Sequence, residues 1–389
     1  MKLGFYYHIP VSFSQMGELK THGALGIFLD EIAKNVDHLT LFMHSAGNNE
    51  SSELSYVLVS KNITFIDLGR KSNFAARVIW GNNIIRRYAN KIHDLDLFIV
   101  RAPTPLGPAL YKVFNRRFPV VFLFVGDYME GLKHQKFNPI KKTLISIFTR
   151  SYERKQNRIL SNCSVFVNSK VLLEKYRSIA KSVTEVKTTT LRESDFFVRE
   201  DTCINKIISI LFVGRLDPTK GINELIEAGA LLNEKGVCFK INIVGDLVNS
   251  EEYVSGFSSK ISKLKLTENI SFEGHKTIGP ELNRYYRDAD IFVLPSYHEG
   301  FPRTIWEAMA NSIPVIATTV GSISFNLENN QDAILIEPKS SKQISDAIER
   351  YITDMELRKR VIKNGFKKAE TMKIEIQTKE FINHLSEIL

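Results

Sequence analysis

Leu294-Pro-Ser-Tyr-His-Glu-Gly-Phe-Pro-Arg-Thr-Ile-Trp-Glu-Ala-Met-Ala310 is the stretch whose reading decides the fold. It opens on the end of an apolar run, Asp290-Ile-Phe-Val-Leu294. Such a run reads as a strand buried in a parallel sheet. His298 to Phe301 read as a turn, and Pro302 stands where a helix begins. Arg303 to Asn311 then read as a short helix. Glu299 lies in the loop at the mouth of the sheet, with Glu307 about one turn inside the helix. That spacing directs both carboxylates toward one ligand. The free N–H groups of the helix start suit an anion at the same place.

Outward from this junction, strand-like and helix-like segments alternate along the chain, which predicts α/β layers with parallel sheets. The N-terminal half reads as strands at Lys2–His8, His38–His44, Ile63–Leu68, Leu97–Arg101, Val120–Val125 and Ser164–Val167, with a helix at Gly23–Val36. The charged, aperiodic stretch Arg192–Lys206 interrupts the pattern. Strands at Ile207–Val213, Phe239–Val244, Asn269–Glu273, Asp290–Leu294, Val315–Ala317 and Ala333–Ile336 follow, with helices at Ile222–Glu234, Ser341–Thr353 and Met355–Glu370. The expectation is two Rossmann-like domains facing each other across a cleft. The first covers 1–195, a linker 196–206, the second 207–370, and a C-terminal helix over 371–389 packs back toward the first. Ligands of such sheets bind beyond the carboxyl ends of the strands.

The composition agrees with this reading. At 389 residues the length suits two to three domains of about 150 residues each. The 43% hydrophobic and 24% charged fractions are those of a globular protein. No stretch approaches the ~20 apolar residues that span a bilayer. Met1-Lys-Leu-Gly-Phe-Tyr-Tyr runs straight into a strand pattern without a small-residue cleavage site, so no signal peptide is expected. Cys163, Cys203 and Cys238 are too few and too scattered for a disulfide framework or a cysteine-type zinc site, as suits a reducing cytoplasm. The net charge of +9 fits a solvated basic surface or attraction to an anionic membrane. Nucleic acid is disfavoured, because no nucleic-acid module or aromatic–basic ladder is present.

Three further phrases end strands. Phe212-Val-Gly-Arg-Leu-Asp-Pro-Thr-Lys-Gly-Ile222 places Arg215 and Lys220 on either side of a turn, with Gly214 at the strand exit. Two cations beside a helix start can clamp a pyrophosphate, although alone they also read as solvated loop charges. In Ile243-Val-Gly-Asp246, Gly245 allows a ligand or backbone to come close, and Asn269-Ile-Ser-Phe-Glu-Gly-His275 ends in the same way. The order of these phrases resembles the donor-binding half of the retaining glycosyltransferases of family GT4, which have the GT-B fold. The resemblance covers roughly 207–370.

The resemblance implies roles position by position. Glu299 contacts the hydroxyls of the donor sugar, and Glu307 the ribose of the nucleotide. Gly300 and Phe301, with the helix start at Pro302, Arg303 and Thr304, present backbone to the sugar and phosphate. Arg215 and Lys220 hold the diphosphate and stabilise the leaving nucleotide, which is transition-state electrostatics and needs no metal or cofactor. Gly214 and Gly245 line the same edge. In the N-terminal half the family's glycine-rich loop is matched by Thr21-His-Gly-Ala-Leu-Gly26, with Gly23 its nearest counterpart. The family's acceptor-side histidine is missing: Phe124-Val-Gly-Asp-Tyr128 has Gly126 in its place, which makes Asp127 the acceptor-side candidate or, on the plain reading, a turn residue.

The implied activity is a retaining transfer of a sugar from a nucleoside-diphosphate sugar to a hydroxyl of a growing glycan. The expected setting is bacterial surface polysaccharide: O-antigen, capsule or lipopolysaccharide. A GT-B-fold sugar-nucleotide epimerase and a catalytically silent homologue are the rivals. The Asp-x-Asp of His93-Asp-Leu-Asp96 reads as loop punctuation before a strand, not as a metal site. His134–Leu160 interleaves seven cations with apolar residues. It reads equally as a basic amphipathic helix on an anionic membrane and as an ordinary exposed helix with a core-facing stripe. The expected location is cytoplasmic, peripheral on the inner face of the plasma membrane if this segment binds lipid.

Overall fold

The computed structural model describes residues 1–47, 54–71, 74–127, 139–245, 251–300 and 302–389. The chain divides into two compact units: Met1–Thr190 with Ile374–Leu389, and Leu191–Lys373. The strands of the first are β1 (Lys2–Tyr6), β2 (Ser12–Phe13), β3 (Leu19–Thr21), β4 (His38–Ser45), β5 (Tyr56–Val57), β6 (Ile63–Arg70), β7 (Leu97–Ala102), β8 (Val120–Phe124), β9 (Ser164–Val167) and β10 (Ser182–Glu185). Seven of them form a parallel sheet in the order β10-β9-β8-β7-β1-β4-β6. β2, β3 and β5 make a small antiparallel sheet.

The central strands are buried along their length, as a sheet covered on both faces requires. Val120-Val-Phe-Leu-Phe124 shows no exposed position. β10, Ser-Val-Thr-Glu, was not legible in sequence because it is an edge strand with no buried residue and therefore no apolar run. The C-terminal helix Ile374–Ser386 belongs to this first unit, where Phe381 stacks on Phe28 of helix Gly23–Lys34 at 6.3 Å.

The second unit contains β11 (Ile208–Val213), β12 (Phe239–Val244), β13 (Ile270–Gly274), β14 (Ile291–Leu294), β15 (Val315–Thr318) and β16 (Ile334–Ile336). They are parallel, in the order β13-β12-β11-β14-β15-β16. The helices Ile222–Glu234, Ser341–Thr353 and Met355–Glu370 fall where the sequence places them. Helix Pro280–Asp288 escapes the sequence reading because only Leu282, Asn283 and Tyr286 are buried, too weak a stripe to announce it.

The segment expected as a linker, 196–206, is bound into the second unit. The Arg199 guanidinium donates to the carbonyls of Tyr286, Arg287 and Ala289, and its Nε to that of Ser312. It thereby satisfies acceptors that the end of helix Pro280–Asp288 leaves open. Asp201 receives the buried Arg358 guanidinium through both oxygens. The absence of a hydrophobic period hid an anchoring made of charged groups.

Helix Pro139–Leu160 carries the described part of the basic segment; 134–138 lie outside the described residues. Thr149, Tyr152, Gln156 and Leu160 face inward, and Tyr152 bonds to the Thr104 carbonyl. Arg150, Arg154, Lys155 and Arg158 are exposed, as is Ile147. Among the described residues no helix is long and apolar enough to cross a membrane. The Asp-x-Asp carboxylates are occupied structurally: Asp94 pairs with the Lys2 ammonium, and Asp96 accepts from the Lys2 backbone N–H at 2.7 Å.

Candidate active site

The carboxyl ends of β11, β12 and β13 are locked in step. Gly214 N–H donates to the Val244 carbonyl, and Gly245 N–H to that of Gly274, both at 3.0 Å. The phrases ending at Gly214, Gly245 and Gly274, separate in sequence, therefore form one edge. Asp246 lies outside the described residues.

From this edge the chain turns through Pro218–Lys220, a single 3-10 turn capped by Asp217, whose carboxylate accepts from the Thr219 N–H at 2.9 Å. Gly221 follows in the left-handed region, φ +67°, and starts helix Ile222–Glu234. A Cβ at this position would sit 2.0 Å from the Pro295 carbonyl oxygen. The turn therefore lies directly on the loop after β14, and the Tyr297 N–H donates to the Thr219 carbonyl at 2.7 Å.

This apposition brings Lys220 to Glu299. Nζ lies 2.7 Å from Oε1, and the side chains are only 12% and 11% exposed. Ser296 Oγ donates to the same carboxylate oxygen at 2.7 Å, while the Ser296 carbonyl accepts from Thr318 Oγ1 at 2.6 Å. Glu299 is thus fixed from three strand ends. A carboxylate with a paired ammonium at a sheet's carboxyl edge offers an acceptor for hydroxyls and a cation for phosphate oxygen within one ångström-scale neighbourhood.

Arg215 is placed differently. It is 83% exposed and 3.6 Å from Asp217. The sequence-predicted pair of cations therefore consists of one fixed ammonium and one guanidinium on the surface of the same turn.

Helix Arg303–Ala310 begins after Pro302, without a side-chain cap. Arg303 and Thr304 are half-buried in its first turn, and Gly300 is exposed before it. Phe301 lies outside the described residues. The Ser322 hydroxyl donates to the Gly300 carbonyl, which ties this loop to the one after β15. Glu307 is buried and accepts from the Tyr286 hydroxyl at 2.8 Å. Burial, and then the neighbouring Glu307 carboxylate, push the Tyr286 phenol well above its ordinary range, so it stays a donor.

In the first unit Gly23 is the first residue of helix Gly23–Lys34. Asp127 follows β8 and pairs with Lys175 at 2.6 Å; Lys175 also meets Glu153 at 3.0 Å. Sequence reasoning missed Ser296, Tyr286, Tyr297 and Ser322. Ser296 and Tyr297 stand inside the quoted junction and were legible as loop residues. Tyr286 and Ser322 come from other elements, and nothing in their local sequence announces the contact.

Residues 199–368 match the family Glycosyl transferases group 1. Over 167 residues the chain is 30% identical to the capsular polysaccharide biosynthesis glycosyltransferase CapM of Staphylococcus aureus, covering 43% of this chain and 42% of that protein. It is 39% identical over 145 residues to the putative teichuronic acid biosynthesis glycosyltransferase TuaC of Bacillus subtilis, covering 36% and 32%. The chain thus spans less than half the length of these relatives. Among solved structures, HepE of Anabaena in complex with UDP superposes with a TM-score of 0.75 at 18% identity over 100% of both chains. WaaG, a glycosyltransferase involved in lipopolysaccharide biosynthesis, superposes with 0.68 at 15% identity, over 97% of this chain and 98% of that one. The superpositions give the chain the GT-B fold, and within it residues 199–368 carry the match to the glycosyl transferases group 1.

Proposed function

We propose that the protein is a retaining glycosyltransferase. It moves a sugar from a nucleoside-diphosphate sugar to a hydroxyl of a growing glycan in bacterial surface polysaccharide synthesis. The observation that carries this reading is the Lys220–Glu299 pair, 2.7 Å apart at the carboxyl edge of the second sheet. The named roles of CapM and TuaC, in capsule and teichuronic acid synthesis, support the polysaccharide setting.

In this reading Glu299 accepts hydrogen bonds from the donor sugar's hydroxyls, held in place by Ser296 and Lys220. Lys220 and the exposed Arg215 neutralise the diphosphate as the glycosidic bond breaks. Glu307, oriented by Tyr286, takes the ribose hydroxyls. The acceptor hydroxyl attacks from the face the leaving diphosphate vacates, and its proton passes to a diphosphate oxygen, which retains the anomeric configuration. No metal is required, because the protein's own cations supply the charge. The exposed cations of helix Pro139–Leu160 are the proposed contact with anionic lipid.

A thermal-shift screen of nucleotide sugars, followed by calorimetry with Lys220→Met and Arg215→Ala, tests the donor site. Loss of nucleotide affinity in both variants is expected. Unchanged affinity in both would refute the assignment.

A further inference from the structure

The first unit holds a cluster of cationic and imidazole groups that the donor reading does not use. It sits at the carboxyl ends of four adjacent strands, in the order β7-β1-β4-β6. Arg101 comes from β7 and His8 follows β1. His44 comes from β4, and Lys71 follows β6. Arg77 enters from the first turn of helix Phe74–Ala89.

Arg77 is 8% exposed and His44 is 1% exposed. Arg77 Nε and Nη1, His44 Nε2 and His8 Nδ1 are all shielded from solvent and have no hydrogen-bond partner among the described residues. Further contacts orient the groups. His44 Nδ1 lies 3.1 Å from the Gly69 carbonyl, which leaves Nε2 open. The Arg101 guanidinium lies over the rings of Tyr7, at 4.7 Å, and Phe28, at 5.4 Å. The nearby carboxylate that acts on His44, Asp67, is exposed and already accepts from the Ser45 and Gly69 N–H groups.

A buried guanidinium with two N–H groups unpartnered among the described residues is a costly arrangement. Its position at a helix start, where the backbone is already positive, adds to the cost. The same features favour an oxyanion: a guanidinium edge, two imidazoles and an ammonium converge where parallel sheets bind ligands. Burial, and then the charges of Lys71, Arg77 and Arg101, hold the His8 imidazole down to about 4.

We infer that the cluster of His8, His44, Arg77 and Arg101 is a phosphate-binding site of the first unit, which holds a phosphate group on the second substrate. That the phosphate belongs to the acceptor rests on the glycosyltransferase reading; that the cluster binds phosphate does not.

The test is a thermal-shift and calorimetric titration of the full chain in phosphate-free buffer. The probes are inorganic phosphate, glycerol 3-phosphate, and acetate at matched ionic strength. Wild type is expected to bind both phosphates, with acetate far weaker. Arg77→Met is expected to lose at least tenfold in phosphate affinity and to melt higher than wild type without phosphate, because it removes a buried charge with N–H groups unpartnered among the described residues. Lys220→Met, altered in the other unit, should keep the phosphate response, and Arg77→Met should keep nucleoside-diphosphate affinity. If Arg77→Met melts much lower than wild type without ligand, Arg77 is a structural cation and the inference falls. His8→Gln gives a second measure of the phosphate response. An undiminished phosphate affinity in both Arg77→Met and His8→Gln overturns the site. Acetate binding as tight as phosphate overturns the phosphate assignment, and a response to inorganic phosphate alone overturns the phosphorylated second substrate. Loss of nucleoside-diphosphate binding by wild type, with the Arg77-dependent response intact, would refute the donor reading and leave the site standing.

Discussion

Cutting the Lys220–Glu299 pair from one side and then both tests whether these residues act as a unit. At 2.7 Å, and at an effective dielectric of about 20, their attraction is about 6 kcal/mol. Several kcal/mol of desolvation per ion offsets most of that, since the side chains are only 12% and 11% exposed. Removing one partner strands the other charge. Lys220→Met is expected to cost about 3 kcal/mol, at the low end for a buried pair because Ser296 Oγ still donates to Glu299. Glu299→Gln should cost a similar amount. The double variant strands no charge and should cost about 3 kcal/mol in total, for a coupling energy of about 3 kcal/mol. Urea unfolding followed by tryptophan fluorescence reads this cleanly in a Trp80→Phe background, because the buried Trp306 of the second unit is then the sole reporter. Additivity of the two single variants within about 0.5 kcal/mol would show that the pair is not coupled, and the argument for a fixed donor-site carboxylate would fail.

Three other predictions follow from single contacts. Gly321, at φ +58°, would place a Cβ 1.7 Å from the Glu299 carbonyl oxygen. Gly321→Ala should cost about 2–5 kcal/mol from left-handed backbone and overpacking, and weaken nucleotide-sugar binding by moving Glu299; a melting temperature and affinity equal to wild type would contradict this. His8 has its folded value lowered to about 4 from 6.5, so the folded state binds fewer protons than the unfolded one between those values. Stability contributed by neutral His8 is present above about pH 6.5 and lost as pH falls toward 4, by up to about 3 kcal/mol, and His8→Gln should flatten that loss in urea midpoints at pH 7 and 4.5. Arg358→Met should cost about 3–5 kcal/mol in denaturant unfolding, because it strands Asp201 and releases the Tyr351 carbonyl, which Arg358 Nη1 also holds.

Much of the fold was legible because parallel strands buried on both faces must be apolar along their length. Asp290-Ile-Phe-Val-Leu294 and Val120-Val-Phe-Leu-Phe124 announced themselves in this way. So did helices with wide buried stripes, such as Ile222–Glu234. The two- and three-residue strands β2, β3 and β5 did not, since they are too short to show a period. The 196–206 segment was misread as a linker for a related reason: Arg199 and Asp201 hold it by polar contacts, which leave no hydrophobic pattern.

The sequence by itself determined the alternation of strands and helices, the glycines at the strand ends and the carboxylates of the Glu299–Glu307 junction. These are local properties, set by burial period, backbone freedom and helix starts. Only the tertiary structure decided which charges meet. It placed Lys220 on Glu299 and Tyr286 on Glu307, and it left Arg215 at the surface. It also gathered His8, His44, Arg77 and Arg101, spread over ninety residues, at one sheet edge. Parallel pairing brings strand ends together regardless of their separation in the chain, and no local pattern encodes which ends become neighbours.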